Sequence, residues 1–384
     1  MELWPAAAVV GAYVGVITLG LSCGSVRLSS QMLLSILKLS ALAFLASATC
    51  CTPVALTLTL VVAYCLYHSL PSPRLSPQGR AVFITGCDTG LGHMLAKKLD
   101  AMGMHVFAGC LYPGGEGATT LTSECSDRLK VITVDVCNPT VVREAAERIK
   151  QELHGKELWG VVNNAGMLYI GCLELLTEDD IRRLVDVNFM GQVHVVRAFL
   201  PLLRAKPCGW VKSFHSCVSG LFPTPYAATY SASKAAVAYL TETLRIELQC
   251  WGINVSTIIP SGYRTGILMY DKQHVGDRWW KAATEEVRLS YGQESFYPKS
   301  IVQDYTNMLN SDFSGVVDKM ADALLEKSPK AFYYKGFLAR SIPFLYLHLP
   351  TAISDLIVPT LTKWYKFDPP GIHNKISNGQ IKTE

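Results

Sequence analysis

Three apolar stretches open the chain, about Pro5 to Leu21, Met32 to Cys50 and Val54 to Leu70. Each is close to the roughly 20 residues that cross a bilayer as a helix. Lys38 interrupts the second near one end, where a long side chain reaches the headgroups. A cleaved signal peptide is the alternative for the first stretch, but the further apolar spans and acidic Glu2 favour an anchor of about three spans over residues 1–70. Pro71 to Pro77 holds three prolines in seven residues and reads as a linker, 71–79. Three crossings put Arg74 and Arg80 on the same side as Arg27 and Lys38, which by the positive-inside tendency is the cytosol.

From Arg80 the pattern changes to short apolar runs separated by helical segments. Ala81–Ile84, His105–Ala108, Leu129–Val134 and Leu158–Val162 read as buried parallel strands, and the segment through Leu99 and Val141–Glu152 as helices. This alternation predicts an α/β fold with a doubly wound parallel sheet of Rossmann type. Further helices are expected around Trp279–Arg288 and Val316–Leu325. Phe337–Leu361 is apolar but broken by prolines 343, 350 and 359, which suits a contact with the membrane surface better than a span. The expected domains are thus 80–332, an apolar membrane-proximal segment 333–368, and a polar, disordered tail 369–384.

Composition narrows the function. Setting aside Arg27, Lys38 and Glu2 leaves 33 of 35 basic and 30 of 31 acidic side chains, so the globular part is nearly neutral and no nucleic acid is expected as partner. The 12 cysteines form no C-x-x-C pair or zinc-spaced cluster, so reduced thiols and no metal are expected.

Thr85-Gly-Cys-Asp-Thr-Gly-Leu-Gly92 lies between the first strand and the first helix. Glycines there permit a tight turn and close backbone approach, and the helix N-terminus attracts a pyrophosphate. Asn163-Asn-Ala-Gly166 ends the fourth strand, where such sheets bind ligands, although an Asx turn would explain it too. Tyr230 and Lys234 share one helix face, and a cation one turn away favours a phenolate. Taken singly, such a pair is also common on surface helices.

Together with Asn188 in Asp186-Val-Asn-Phe189, these motifs stand in the order used by the short-chain dehydrogenases/reductases, which the chain resembles from about Arg80 to about Pro359. It is most similar to their membrane-bound 17β-hydroxysteroid branch, and also to the 11β-hydroxysteroid, retinol and 3-hydroxybutyrate branches. The resemblance implies Tyr230 as proton donor and acceptor, Lys234 on the nicotinamide ribose, and Asn188 positioning a water. It implies a cofactor site from Gly86, Thr89, Gly90, Leu91, Gly92, Asp135, Asn163, Ala165, Gly166 and Thr265, with Tyr230 and Lys234. Two positions depart from the pattern. Cys217 stands where the family has its catalytic serine, flanked by Ser216 and Ser219, and Pro260-Ser261 replaces a Pro-Gly pair. A thiol is the weaker hydrogen-bond donor.

The expected function is a membrane-bound, NAD-dependent oxidoreductase of a hydrophobic alcohol such as a steroid or retinoid. NAD is expected ahead of NADP because neither Gly109–Leu111 nor the glycine turn supplies a cation while Asp88 adds negative charge. The alternatives are a dehydrogenase of a small hydroxy acid such as 3-hydroxybutyrate, and a nucleotide-binding scaffold without turnover. The expected partners are the hydrophobic substrate, membrane lipid and a second copy in a homodimer. The expected location is the endoplasmic reticulum membrane with the catalytic domain in the cytosol, ahead of a mitochondrial membrane. Trp279, Trp280 and Tyr291 fit either a substrate pocket or core packing.

Overall fold

The computed structural model describes residues 73–205, 220–268, 271–296, 309–336, 338–362 and 369–371. The expected N-terminal anchor, Cys217 and most of the polar tail lie outside them. No helix among the described residues is long and apolar enough to cross a membrane.

In chain order the elements are β1 (Arg80–Thr85), α1 (Gly90–Ala101), β2 (His105–Cys110), α2 (Glu116–Glu124), β3 (Leu129–Thr133), α3 (Pro139–Glu152) and β4 (Glu157–Val162). Then come α4 (Glu178–Val185), a π-helical turn at Asp186–Met190, α5 (Gly191–Arg204), α6 (Ala228–Glu247) and β5 (Thr257–Pro260). The chain continues with α7 (Lys272–Ala282), α8 (Glu285–Tyr291), α9 (Gln293–Phe296), α10 (Ser314–Leu325), β6 (Phe332–Lys335), α11 (Leu338–His348) and α12 (Thr351–Thr362).

The first four strands form a parallel sheet in the order β3-β2-β1-β4, and β5 pairs in parallel with β6. Strands buried on both faces need continuous apolar runs, which is what Ala81–Ile84 and Val106–Ala108 supply. Phe83 and Phe199 stack at 4.5 Å between sheet and α5, each contributing on the order of 2–3 kcal/mol by burial. The Trp159 indole donates to the Leu324 carbonyl at 2.7 Å, joining β4 to α10, while Arg80 lies 4.0 Å over its ring. Strand β6 begins at 332, where the domain was expected to end, and pairs with β5 along its whole length.

Polar starts set the helix boundaries. Asn138 accepts from the Thr140 and Val141 amides ahead of α3, with Pro139 at the first helical position. The segment expected as one helix around Trp279–Arg288 is two, because the backbone turns extended at Ala283 after the first and Thr284 caps the second by accepting from the Val287 amide at 3.3 Å. A separate small unit pairs 73–76 with 325–329 through Leu75 N to Leu325 O at 2.6 Å and Lys327 N to Pro73 O at 2.9 Å.

Candidate active site

The carboxyl ends of β1, β3, β4 and β5 open onto a cleft of about 390 Å³. Its floor is the turn between β1 and α1. Gly86 and Gly90 both have left-handed backbones, φ +68° and +67°. A β-carbon on Gly86 would come within 2.8 Å of the Ala165 Cα, so only glycine lets the two strand ends approach. Thr85 fixes that approach from below, because its buried Oγ1 accepts from the Asn164 and Ala165 amides at 3.0 and 3.1 Å. The Asn164 side-chain amide donates to the Thr85 and Gly86 carbonyls at 2.9 and 3.0 Å. In the sequence Thr85 only opens the glycine motif, and its role as an acceptor for the Asn164 and Ala165 amides appears only once β1 and β4 are neighbours.

Helix α1 begins at this turn, and the Thr89 side chain does not cap it. Its first-turn amides and positive end therefore face the cleft beside Gly90 and Leu91. This glycine-lined, amide-rich cradle fits the pyrophosphate of a dinucleotide. Thr265 packs on Gly90, and Thr89 on Gly266, which closes the cradle from the β5 side.

Asp88 lines the cleft too, and its two carboxylate oxygens accept from the Leu111 and Tyr112 amides, each at 3.0 Å. The negative charge thereby sits at the end of β2. Lys97 and Lys98, the nearest cations on α1, form ion pairs with Glu124 and Asp318. Asp135 lines the cleft at the end of β3 and accepts from the Cys137 amide at 2.9 Å. Cys87 and Cys110 are fully buried behind the cradle, and burial pushes the Cys87 thiol well up and the Cys110 thiol up to about 12.

At the opposite end Tyr230 and Lys234, both nearly buried, face the cleft from the first two turns of α6. The Lys234 ammonium lies 5.6 Å from the Tyr230 ring centre. A β-carbon on Gly166 would lie 3.3 Å from both the Lys234 Nζ and the Asn188 Oδ1, so Gly166 sits between those two groups. Asn188 is fully buried in the π-helical turn, where its Oδ1 accepts from the Met167 amide at 2.8 Å. Its Nδ2 donates to the Met167 carbonyl at 3.0 Å and to Ser233 Oγ at 3.1 Å, and Ser233 Oγ donates to the Tyr230 carbonyl at 2.7 Å. Ser233 was missed in the sequence; its signal is a small polar residue on the buried face of α6, three after Tyr230.

Of the expected residues, Gly86, Thr89, Gly90, Leu91, Asp135, Asn163, Ala165, Gly166, Tyr230, Lys234 and Thr265 line this one cleft. Gly92 and Asn188 stand behind its wall. Gly92 packs so closely on Asn164 and Gly86 that a β-carbon would come within 2.4 Å of the Asn164 amide nitrogen. Trp279, Trp280 and Tyr291 serve packing instead of lining the cleft: Trp279 is buried, Trp280 meets Phe296 edge-on at 5.0 Å, and the Tyr291 hydroxyl donates to Glu174 at 2.7 Å.

Residues 80–276 match the model of the short chain dehydrogenase family. The chain belongs to that family. It is 36% identical over 310 residues to the 17-beta-hydroxysteroid dehydrogenase type 2 of Homo sapiens, covering 78% of each chain. It is 33% identical over 284 residues to retinol dehydrogenase 7 of Mus musculus, covering 73% of this chain and 88% of the relative. A short-chain dehydrogenase/reductase from Burkholderia phymatum, solved in complex with NAD, superimposes with a TM-score of 0.57 at 21% identity over 81% of this chain and 98% of its own. The chain is thus a short-chain dehydrogenase homologous to steroid and retinol dehydrogenases, on a Rossmann-like fold.

Proposed function

We propose that the protein is a membrane-bound, NAD-dependent dehydrogenase that interconverts a hydroxyl and a carbonyl on a hydrophobic substrate of steroid or retinoid class. The observation that carries this reading is the Tyr230–Lys234 pair at the Gly166 end of a glycine-cradled cleft. In the oxidative direction the Tyr230 phenolate takes the proton from the substrate hydroxyl. Lys234 favours that phenolate and binds the nicotinamide ribose. Asn188 holds Met167 and, through Ser233, the start of α6, so that the phenol and the wall opposite keep one spacing. Cys217 supplies a hydrogen bond to the substrate oxygen in place of the family's serine. Gly86, Gly90 and Gly166 with Lys234 would hold NAD, which would supply the acceptor for the hydride of the carbinol carbon.

NAD is preferred over NADP on charge. Asp88 holds its carboxylate at the end of β2, and Lys97 and Lys98 are committed to Glu124 and Asp318. A 2′-phosphate there meets a negative charge. Met167, Leu168, Ile267 and Leu309 make the substrate end apolar, which supports a steroid or retinoid over a small hydroxy acid.

Membrane association rests on the apolar stretches before residue 71 and on α11 and α12, which expose Phe344, Leu347, Ile353 and Leu356. The reading places the protein in the endoplasmic reticulum membrane with its catalytic domain in the cytosol. The exposed Tyr239 and Ile246 of α6, with Trp251, support a homodimer through that face.

The test is NADH formation by membranes holding the protein, with a panel of steroids, retinols and 3-hydroxybutyrate, each with NAD and with NADP. Oxidation of a steroid or retinol with NAD is expected. Oxidation of 3-hydroxybutyrate alone moves the substrate to the small hydroxy acids, and cofactor binding without turnover leaves a scaffold.

A further inference from the structure

Behind the substrate end of the cleft lies a buried carboxylate that the chemistry above does not use. Asp180, in the first turn of α4, is only 2% exposed. Its Oδ1 accepts from Arg278 Nη2 at 2.6 Å, and its Oδ2 accepts from the Trp279 indole at 2.8 Å and from the Thr177 hydroxyl at 2.7 Å. Two consecutive side chains of α7 thus converge on one acid of α4.

Trp279 also touches the chain that leaves the Asn163–Gly166 motif. Its ring lies so close to Gly171 that a β-carbon there would come within 2.7 Å of Cζ3, and the Tyr169 ring meets it edge-on at 6.1 Å. Residues 167–171 are therefore gripped at both ends. Asn188 holds Met167, while Trp279 and the bond from Gly171 N to the Tyr226 carbonyl at 2.8 Å hold Gly171. Between these grips, Met167 and Leu168 form the cleft wall, and Tyr230 packs in the same apolar cluster as Leu168, Val275 and Trp279.

We propose that Asp180 is a positioning residue that sets substrate affinity, by locking α7 in one register behind the Met167–Leu168 wall. Apolar packing alone would hold two helices together. A buried carboxylate carries a desolvation cost, and fixing register is the best-attested use of such buried polar groups. Turning α7 by one residue swings its side chains about 100° and breaks both the Arg278 and the Trp279 bonds. Asp180 itself does not line the cleft, so it acts through Trp279 and the wall. The inference rests on the proposed reading that a hydrophobic alcohol lies against Met167 and Leu168.

The experiment uses the full chain with saturating NAD and compares Asp180→Ala, Asp180→Asn and Trp279→Phe, with oestradiol as substrate. Asp180→Ala and Trp279→Phe should raise KM about tenfold while kcat stays within about twofold, the pattern of a displaced binding wall with its chemistry intact. Asp180→Asn keeps an oxygen for the indole and should return KM to within about threefold of the parent. NAD affinity should not move. Hydrogen exchange should quicken at 167–171 and 272–282 and stay unchanged at 85–92. An unchanged KM in both Asp180→Ala and Trp279→Phe overturns the proposal. So does a joint loss of kcat, KM and NAD affinity with faster exchange throughout, which is a general structural role. A parent that oxidises no hydrophobic alcohol defeats the proposed function. The exchange pattern then decides the positioning role alone, since quickening confined to 167–171 and 272–282 upholds it and unaltered exchange there ends it.

Discussion

The hydroxyl of Ser261 fills the space beside Gly336 that a side chain at 336 would need, with Ser261 Oγ only 2.1 Å from where a β-carbon would stand. Gly336 has φ +101°, and the Ser261 amide donates to the Lys335 carbonyl at 2.8 Å. Ser261 therefore has its hydroxyl accommodated against the turn after β6. Gly336→Ala should destabilise the domain by about 1–3 kcal/mol through backbone strain and this clash. Adding Ser261→Gly should recover the part due to the clash, which a double-mutant cycle of thermal midpoints measures. Purely additive effects would contradict the pairing.

The sheet and the cradle were legible because their signals are local. A strand buried on both faces is a run such as Ala81–Ile84, and Gly86 and Gly90 announce left-handed turns. The Asp180–Trp279 contact was not legible, since the two residues are far apart in sequence and each has a commonplace local explanation: Asp180 an acidic first-turn residue, Trp279 a core aromatic. Ser261 looked like a defect in its motif until β6 brought Gly336 opposite it. The break at Thr284 was hidden because α7 and α8 both read as one polar-apolar helix, and the cap bond is what divides them.

His105, at the start of β2, has its pKa lowered, first by burial and then by the Lys156, Arg128 and Lys130 charges. The unfolded imidazole takes up a proton near 6.5, the folded one only at lower pH. Stability from this residue is therefore complete above about pH 6.5 and falls as acidification carries the unfolded state through its titration first. His105→Gln should show a smaller loss of thermal midpoint between about pH 7.5 and 5.5 than the parent. An identical slope would show that other groups carry the acid sensitivity.

Cys217 lies thirteen residues before Tyr230, and in the proposed function it takes the place of a serine. A donor to the reacting oxygen is worth on the order of 10²-fold in rate. Cys217→Ser should keep or raise turnover, Cys217→Ala should lower it, and Ser219→Ala should matter less. A silent Cys217→Ala beside an inactive Ser216→Ala or Ser219→Ala would move the donor to a neighbouring hydroxyl.

The proposed role of Tyr230 is to move the proton in a reaction whose cofactor is held by other groups. Its most direct measurement is Tyr230→Phe, which removes one hydroxyl and keeps the ring, assayed for NADH formation with a steroid or retinol that the parent oxidises and for NAD binding by tryptophan quenching. Turnover should fall by on the order of 10²-fold or more with NAD affinity nearly unchanged, and Lys234→Ala should lose both. Turnover near the parent rate in Tyr230→Phe would contradict it.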